Sequence, residues 1–150
     1  MKYTLIAFLF LIVSAQQIKS QAILVQQTNQ PIVIDGDLSD WKNPFSQEFV
    51  IHNSGKKVTQ STVASLSWDK KFLYIAYNCI DSEIVGTTRK KDHPIFNTDD
   101  LVEIFISPAA EIKNYIEIGV NAFNSNYDIH IQCLGGDCAK RKSNLSVTIK

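Results

Sequence analysis

The sequence predicts an all-β fold, an antiparallel β-sandwich, and three observations predict it. Beyond residue 22, apolar residues recur with a period of two rather than 3.6. The apolar runs are short, and Asp, Asn, Gly and Ser separate them. No window long enough for a helix carries helical periodicity after the N-terminal run. Several short strands with turns between them fit two antiparallel sheets packed on one another.

The chain has 150 residues, of which 45% are hydrophobic and 20% charged. That is one domain, with too much apolar surface for a disordered chain. Fifteen basic residues balance fifteen acidic ones. Without a basic excess to neutralise phosphates, a nucleic-acid partner is not expected.

Residues 1–22 read MKYTLIAFLFLIVSAQQIKSQA, with Lys2 ahead of an apolar stretch over 4–15. That stretch is too short to span a bilayer and has the length of a signal-peptide core. Small residues at Ser14, Ala15, Ser20 and Ala22 offer cleavage after Ala15 or after Ala22. Residues 1–22 are therefore expected to be a signal peptide, 23–150 to form the domain, and the protein to be secreted, extracellular or periplasmic, with no membrane span. Cleavage after Ala22 removes Lys2 and Lys19 and no acid, leaving a net charge of −2. An exported chain is allowed disulfides. Cys133 and Cys138 bracket the turn-forming Leu-Gly-Gly-Asp, so a short-loop bridge is feasible, while Cys79 lies in an apolar pattern and is expected to be buried.

The elements follow in order. Residues 31–34 (PIVI) read as a short extended piece stopped by Asp35-Gly36. Residues 47–51 form a second, ending at His52-Asn53-Ser54-Gly55. Residues 59–68 alternate around Val63, Ala64 and Leu66; Asp69-Lys70-Lys71 makes a tight turn; 72–80 is rich in Tyr, Ile and Leu. That is a hairpin signal. A polar loop over 81–100 carries Arg89, Lys90, Lys91 and Asp92. Four more strands are expected at 101–107 (LVEIFIS), 115–122 (YIEIGVNA), 127–132 and 145–149.

Alternation assigns faces. Val102, Ile104 and Ile106 share one face with Ile116, Ile118, Val120 and Ala122, and this aliphatic face is expected to be core. Glu103, Phe105, Tyr115, Glu117, Gly119 and Asn121 lie on the other, which is expected to turn outward. Aromatic rings stack on the C–H face of a pyranose while Glu and Asn bond its hydroxyls, so that face has the composition of a sugar platform.

Four segments in order carry a resemblance: PIVIDGDLSDW at 31–41, LSWDKKFLYIAYNCID at 66–81, DDLVEIFISP at 99–108 and YIEIGVNAFNSNYD at 115–128. Together they resemble the family 9 carbohydrate-binding modules and their relatives in secreted bacterial proteins, over nearly the whole of residues 23–150. The resemblance implies a β-sandwich that binds glucan- or xylan-type polysaccharide or oligosaccharide, often appended to a polysaccharide-degrading enzyme. It matches Glu103 to the family's ligand Glu and Asn121 to its ligand Asn. Gly119 stands where the family has Arg. Asn97 falls near the first stacking Trp, with Phe96 the adjacent aromatic. The segment bearing the second stacking Trp is not in this chain. Family domains also continue with further strands, so the sandwich is expected to lack its last strands. A truncated gene product, or a chain completed by a protein partner or by self-association through an open edge, is the corresponding expectation.

The site expected from residues and resemblance is Phe96, Asn97, Glu103, Glu117 and Asn121, with Tyr115 or Phe105 as further stacking rings. No catalytic role is assigned: Glu103 and Glu117 as a hydrolytic pair would need a cleft and a raised pKa that no motif signals. No cofactor is expected. A structural calcium ion on Asp81, Asp99, Asp100 or Asp128 is an option the family allows, against their simpler use in turns and caps. A structural or protein-interaction domain that kept the fold and lost the sugar site is the alternative function. Trp41 is read as the anchor of the N-terminal segment rather than as a ligand aromatic.

Overall fold

The computed structural model describes residues 23–109 and 113–133. The expected signal peptide at 1–22, Cys138 and the expected strand at 145–149 lie outside the described residues. Among the described residues there are six strands: β1 (Gln26–Gln27), β2 (Thr62–Trp68), β3 (Leu73–Cys79), β4 (Leu101–Ile106), β5 (Asn114–Asn121) and β6 (Asn126–Gln132). They form two three-stranded sheets, in the orders β1-β2-β3 and β4-β5-β6. Only β1 and β2 run parallel. The all-β expectation holds. Among the described residues, no helix is long and apolar enough to cross a membrane.

The hairpin of β2 and β3 forms where alternation predicts it, with Trp68 opposite Leu73. One Asp69 carboxylate oxygen accepts the N–H groups of Lys71 at 2.7 Å and Phe72 at 2.8 Å, and the other accepts the Tyr74 hydroxyl at 2.9 Å. These bonds hold the Asp69 carboxyl below its ordinary pKa, the Lys71 amide contributing most.

The first extended piece does not join a sheet. Pro31 has no N–H to donate, and the Val33 N–H is taken by Asp40 at 2.9 Å. Gln26 and Gln27 pair with β2 instead. Asp35 and Asp37 accept the N–H groups of Asp37 and Ser39 around Gly36, whose φ of +86° needs glycine. The segment is anchored by Trp41, whose Nε1 donates to the hydroxyl of fully buried Ser65 at 2.8 Å. Residues 47–51 likewise make a single bridge, Val50 to Lys57, around a turn with Asn53 at φ 66° and Gly55 at φ 65°.

In the second sheet the register places Glu103, Gly119 and Tyr127 in one row and Phe105, Glu117 and Ile129 in the next. The other face has Val102, Val120 and Asn126 in a row, then Ile104, Ile118 and Asp128. Strand β6 thus alternates out of phase with β4 and β5. Its polar residues join the aliphatic face, and its apolar ones join the Glu face. The expected division of faces holds only in part: Glu103 and Phe105 are exposed as expected, but Asn121, Tyr127 and Ile131 on the same face are buried, and the aliphatic residues of β4 and β5 are half-buried beside buried Asn126 and Asp128.

Two cysteines also differ from each other in state. Cys133 is disulfide-bonded. Cys79 carries a free, exposed thiol, contrary to the expected burial, because it ends an edge strand.

The sheets approach along β3 and β4. The Tyr77 hydroxyl donates to the Glu103 carbonyl at 2.7 Å. Beside this contact lies a cleft of about 800 Å³ bordered by Phe49, Ile51, Ile80, Ile84 and Leu101.

Candidate functional site

The loop over 81–100 lies across one end of the Glu face, and two aspartates fasten it. The Val85 N–H reaches Asp100 at 2.8 Å, and the Asp100 N–H returns to the Val85 carbonyl at 2.8 Å. Asp99 accepts the Thr87 N–H at 3.0 Å and the hydroxyls of Thr87 at 2.6 Å and Thr98 at 2.7 Å. It also accepts the Asn121 amide at 2.6 Å. These donors, the Thr87 hydroxyl first, push the Asp99 carboxyl far below its ordinary pKa. Ile95, fully buried, is the loop's apolar plug.

Asn121 was expected at the ligand; it sits beneath the loop and is 4% exposed. Its Nδ2 donates to Asp99 and to the Thr88 carbonyl at 3.1 Å. Its Oδ1 accepts the N–H groups of Phe123 at 2.9 Å and Ser125 at 2.8 Å. Both amide protons and the carbonyl oxygen are therefore engaged within the chain. Asn121 holds the loop to the end of β5 and faces no solvent.

Glu103 and Glu117 do come together. Tyr127 lies flat across Gly119, and its hydroxyl contacts a carboxylate oxygen of Glu103 and, at 2.8 Å, one of Glu117. Burial, and then the two carboxylates, hold the phenol above its ordinary pKa, so it stays a proton donor. Glu103 is exposed and Glu117 half-buried.

Two exposed aromatic rings lie near this pair, Phe105 opposite Glu117 in the ladder and Phe96 on Tyr127. Phe105, 57% exposed, lies 5.9 Å from the Tyr115 ring on the side toward the end of β4. Phe96, 48% exposed, packs edge-on against Tyr127 at 5.7 Å. Asn97 follows Phe96 on the exposed surface. Phe96, Glu103 and Glu117 thus gather around Tyr127, with Asn97 at the margin and Asn121 behind.

Cations are placed elsewhere. The Arg89 guanidinium sits 4.7 Å over the Phe123 ring, in the turn after β5. Among the described residues the one ion pair joins Lys57 to Glu48 at 3.0 Å. No group of three His, Cys, Asp or Glu side chains among them could hold a metal ion. Asp81 accepts the Glu83 N–H at 2.9 Å and a Gln60 amide proton, so with Asp99 and Asp100 it serves loop donors.

Tyr127 is the site residue that sequence reasoning missed. Its signal was Gly119, a lone glycine inside an Ile/Val strand, which marks close approach of another group. Compared with protein-family models, curated proteins and solved structures, the chain matches none.

Proposed function

We propose that this protein binds carbohydrate without catalysis, on the face formed by Phe96, Glu103, Glu117, Phe105 and Tyr115 around the buried Tyr127. The observation that carries this reading is a carboxylate pair joined by the Tyr127 hydroxyl, with exposed Phe105 beside it in the ladder and exposed Phe96 packed on the Tyr127 ring. A sugar ring laid on Phe105 would put its hydroxyl edge within reach of the carboxylates, which accept hydroxyl protons. Tyr127 fixes both acids from below, so little ordering is left for binding to cost. The resemblance to family 9 carbohydrate-binding modules points the same way and suggests polysaccharide of xylan or glucan type, met by a secreted protein.

Trp41 packs on Ser65 of the other sheet and Trp68 ends β2, so neither would report binding by fluorescence. Calorimetric titration with xylan and cellulose oligosaccharides is the suitable test. Micromolar to millimolar dissociation constants are expected. Phe105→Ala and Glu103→Gln should each weaken binding about tenfold with unchanged melting temperature. A flat response to every glycan would overturn the reading.

One observation favours a second function, a protein-interaction domain. Strands β3 and β4 are both sheet edges, and Phe49, Ile51, Ile80 and Ile84 are exposed along the cleft between them. Concentration-dependent association in sedimentation, with no glycan response, would support it instead.

A further inference from the structure

We propose that a second copy of this chain docks on the open edge of β3, antiparallel and about a two-fold axis, so that two copies of the first sheet join in the order β1-β2-β3-β3-β2-β1. This rests on the interaction reading above and names its partner. The backbone sets the edge. The Phe72 carbonyl accepts the Asp69 N–H and the Ile80 N–H donates to the Ser61 carbonyl, so the even-numbered residues between them turn their backbone groups toward β2. Leu73, Ile75, Tyr77 and Cys79 turn theirs outward. Among the described residues, no hydrogen bond reaches those outward groups.

Charge then selects the occupant. Residues 73–80 carry no charged side chain, and so lack the charges with which sheet edges commonly repel another strand. Lys70 and Lys71 precede this stretch and Asp81 follows it. Full antiparallel overlap sets Leu73 opposite Cys79 of the second copy, Ile75 opposite its Tyr77 and Lys71 opposite its Asp81. The two-fold repeats each contact, giving two opposite-charge pairs and two aromatic–β-branched pairs. The other edges suit an identical strand poorly. β1 has two residues. On β4 the outward Glu103 carbonyl is already bonded by Tyr77, and self-pairing would set Glu103 opposite itself. β6 carries Asp128 and is bridged at Asn126 by Lys91. Phe72, Leu73 and Ile80, at the ends of the β3 edge, are all exposed. Burying them with the strand between them approaches the low end of specific interfaces, about 600 Å² per partner.

The test uses the whole protein. Sedimentation velocity should show monomer passing to dimer and to nothing larger, with a dissociation constant on the order of micromolar, since the isologous pair uses up the edge. Lys71→Glu, on an exposed side chain, sets like charges opposite at both ends and should weaken the dimer about tenfold while the monomer stays folded. Leu73→Cys places a thiol about 5.5 Å, Cα to Cα, from Cys79 of the second copy, within disulfide range. Under oxidised glutathione this variant should yield a dimer linked between positions 73 and 79. The wild type should not match it, because its two Cys79 thiols stand at opposite ends of the ladder. A dimer that resists Lys71→Glu, or that forms no link between positions 73 and 79, overturns the inference and leaves the interaction reading standing. A monomer at every concentration removes both.

Discussion

Gly119 and Tyr127 are partners in the β5–β6 ladder, and the Tyr127 ring occupies the space that a side chain on Gly119 would need. A Cβ built on Gly119 would lie 2.3 Å from Tyr127 Cε1 and 2.7 Å from Cζ. The close approach lets the phenol reach across the sheet to two carboxylates. Gly119→Ala should therefore cost about 1–3 kcal/mol in denaturant unfolding, since the ring must leave its packed position. Binding of any glycan should fall with it, as Glu103 and Glu117 lose their common donor. Unchanged stability would show that the ring has room elsewhere.

Asn121 predicts a loss of order at a distance from its own strand. Asn121→Ala strands the donors of Phe123 and Ser125 and removes two bonds to the 81–100 loop. A destabilisation on the order of 2 kcal/mol is expected. Amide exchange should quicken at Thr87 and Val85 more than in the β2–β3 hairpin. Uniform acceleration across both sheets would contradict the local role.

Acid should loosen the same loop. The Asp99 carboxyl titrates lower in the folded chain than its ordinary value of 3.8, so its contribution is complete above that value and disappears as pH falls toward the depressed one. Asp69 and Glu48 shift in the same direction, Asp69 through its turn amides and Glu48 chiefly through Lys57. Melting temperature should decline below about pH 4, and Asp99→Asn, less stable at pH 7, should decline less steeply. Parallel curves for the two proteins would remove Asp99 from this account.

Trp41 and Ser65 give a fourth expectation. The indole bond to the buried hydroxyl should be worth about 1 kcal/mol. A cycle of Trp41→Phe, Ser65→Ala and the double variant should show coupling of roughly that size. Zero coupling would mean that ring packing alone holds the N-terminal segment.

Much of the fold was legible because it is local. The Asp69 turn and the flanking strands were readable since a carboxylate three residues from a backbone N–H is a short-range interaction, and so was the alternation of β4 and β5. That the extended piece at 31–34 stays outside the sheets is equally local: Pro31 has no N–H, and the Val33 N–H is claimed by Asp40. Of the expected site, Phe96, Glu103 and Glu117 share one surface, and Asn97 borders it. Asn121 does not reach it, because the loop that covers it is joined through residues more than twenty positions away.

The sequence by itself determined the strand content, the hairpin and which residues of one strand share a face, because a pleat of period two is a property of each segment alone. Only the tertiary structure decided which residues of each face are buried. That depends on the phase in which β6 pairs with β5, and pairing one residue along would have exchanged its faces. It also decided that the 81–100 loop seals Asn121 while leaving Glu103 exposed and Glu117 half-buried over Tyr127, since the contacts responsible join residues distant in sequence.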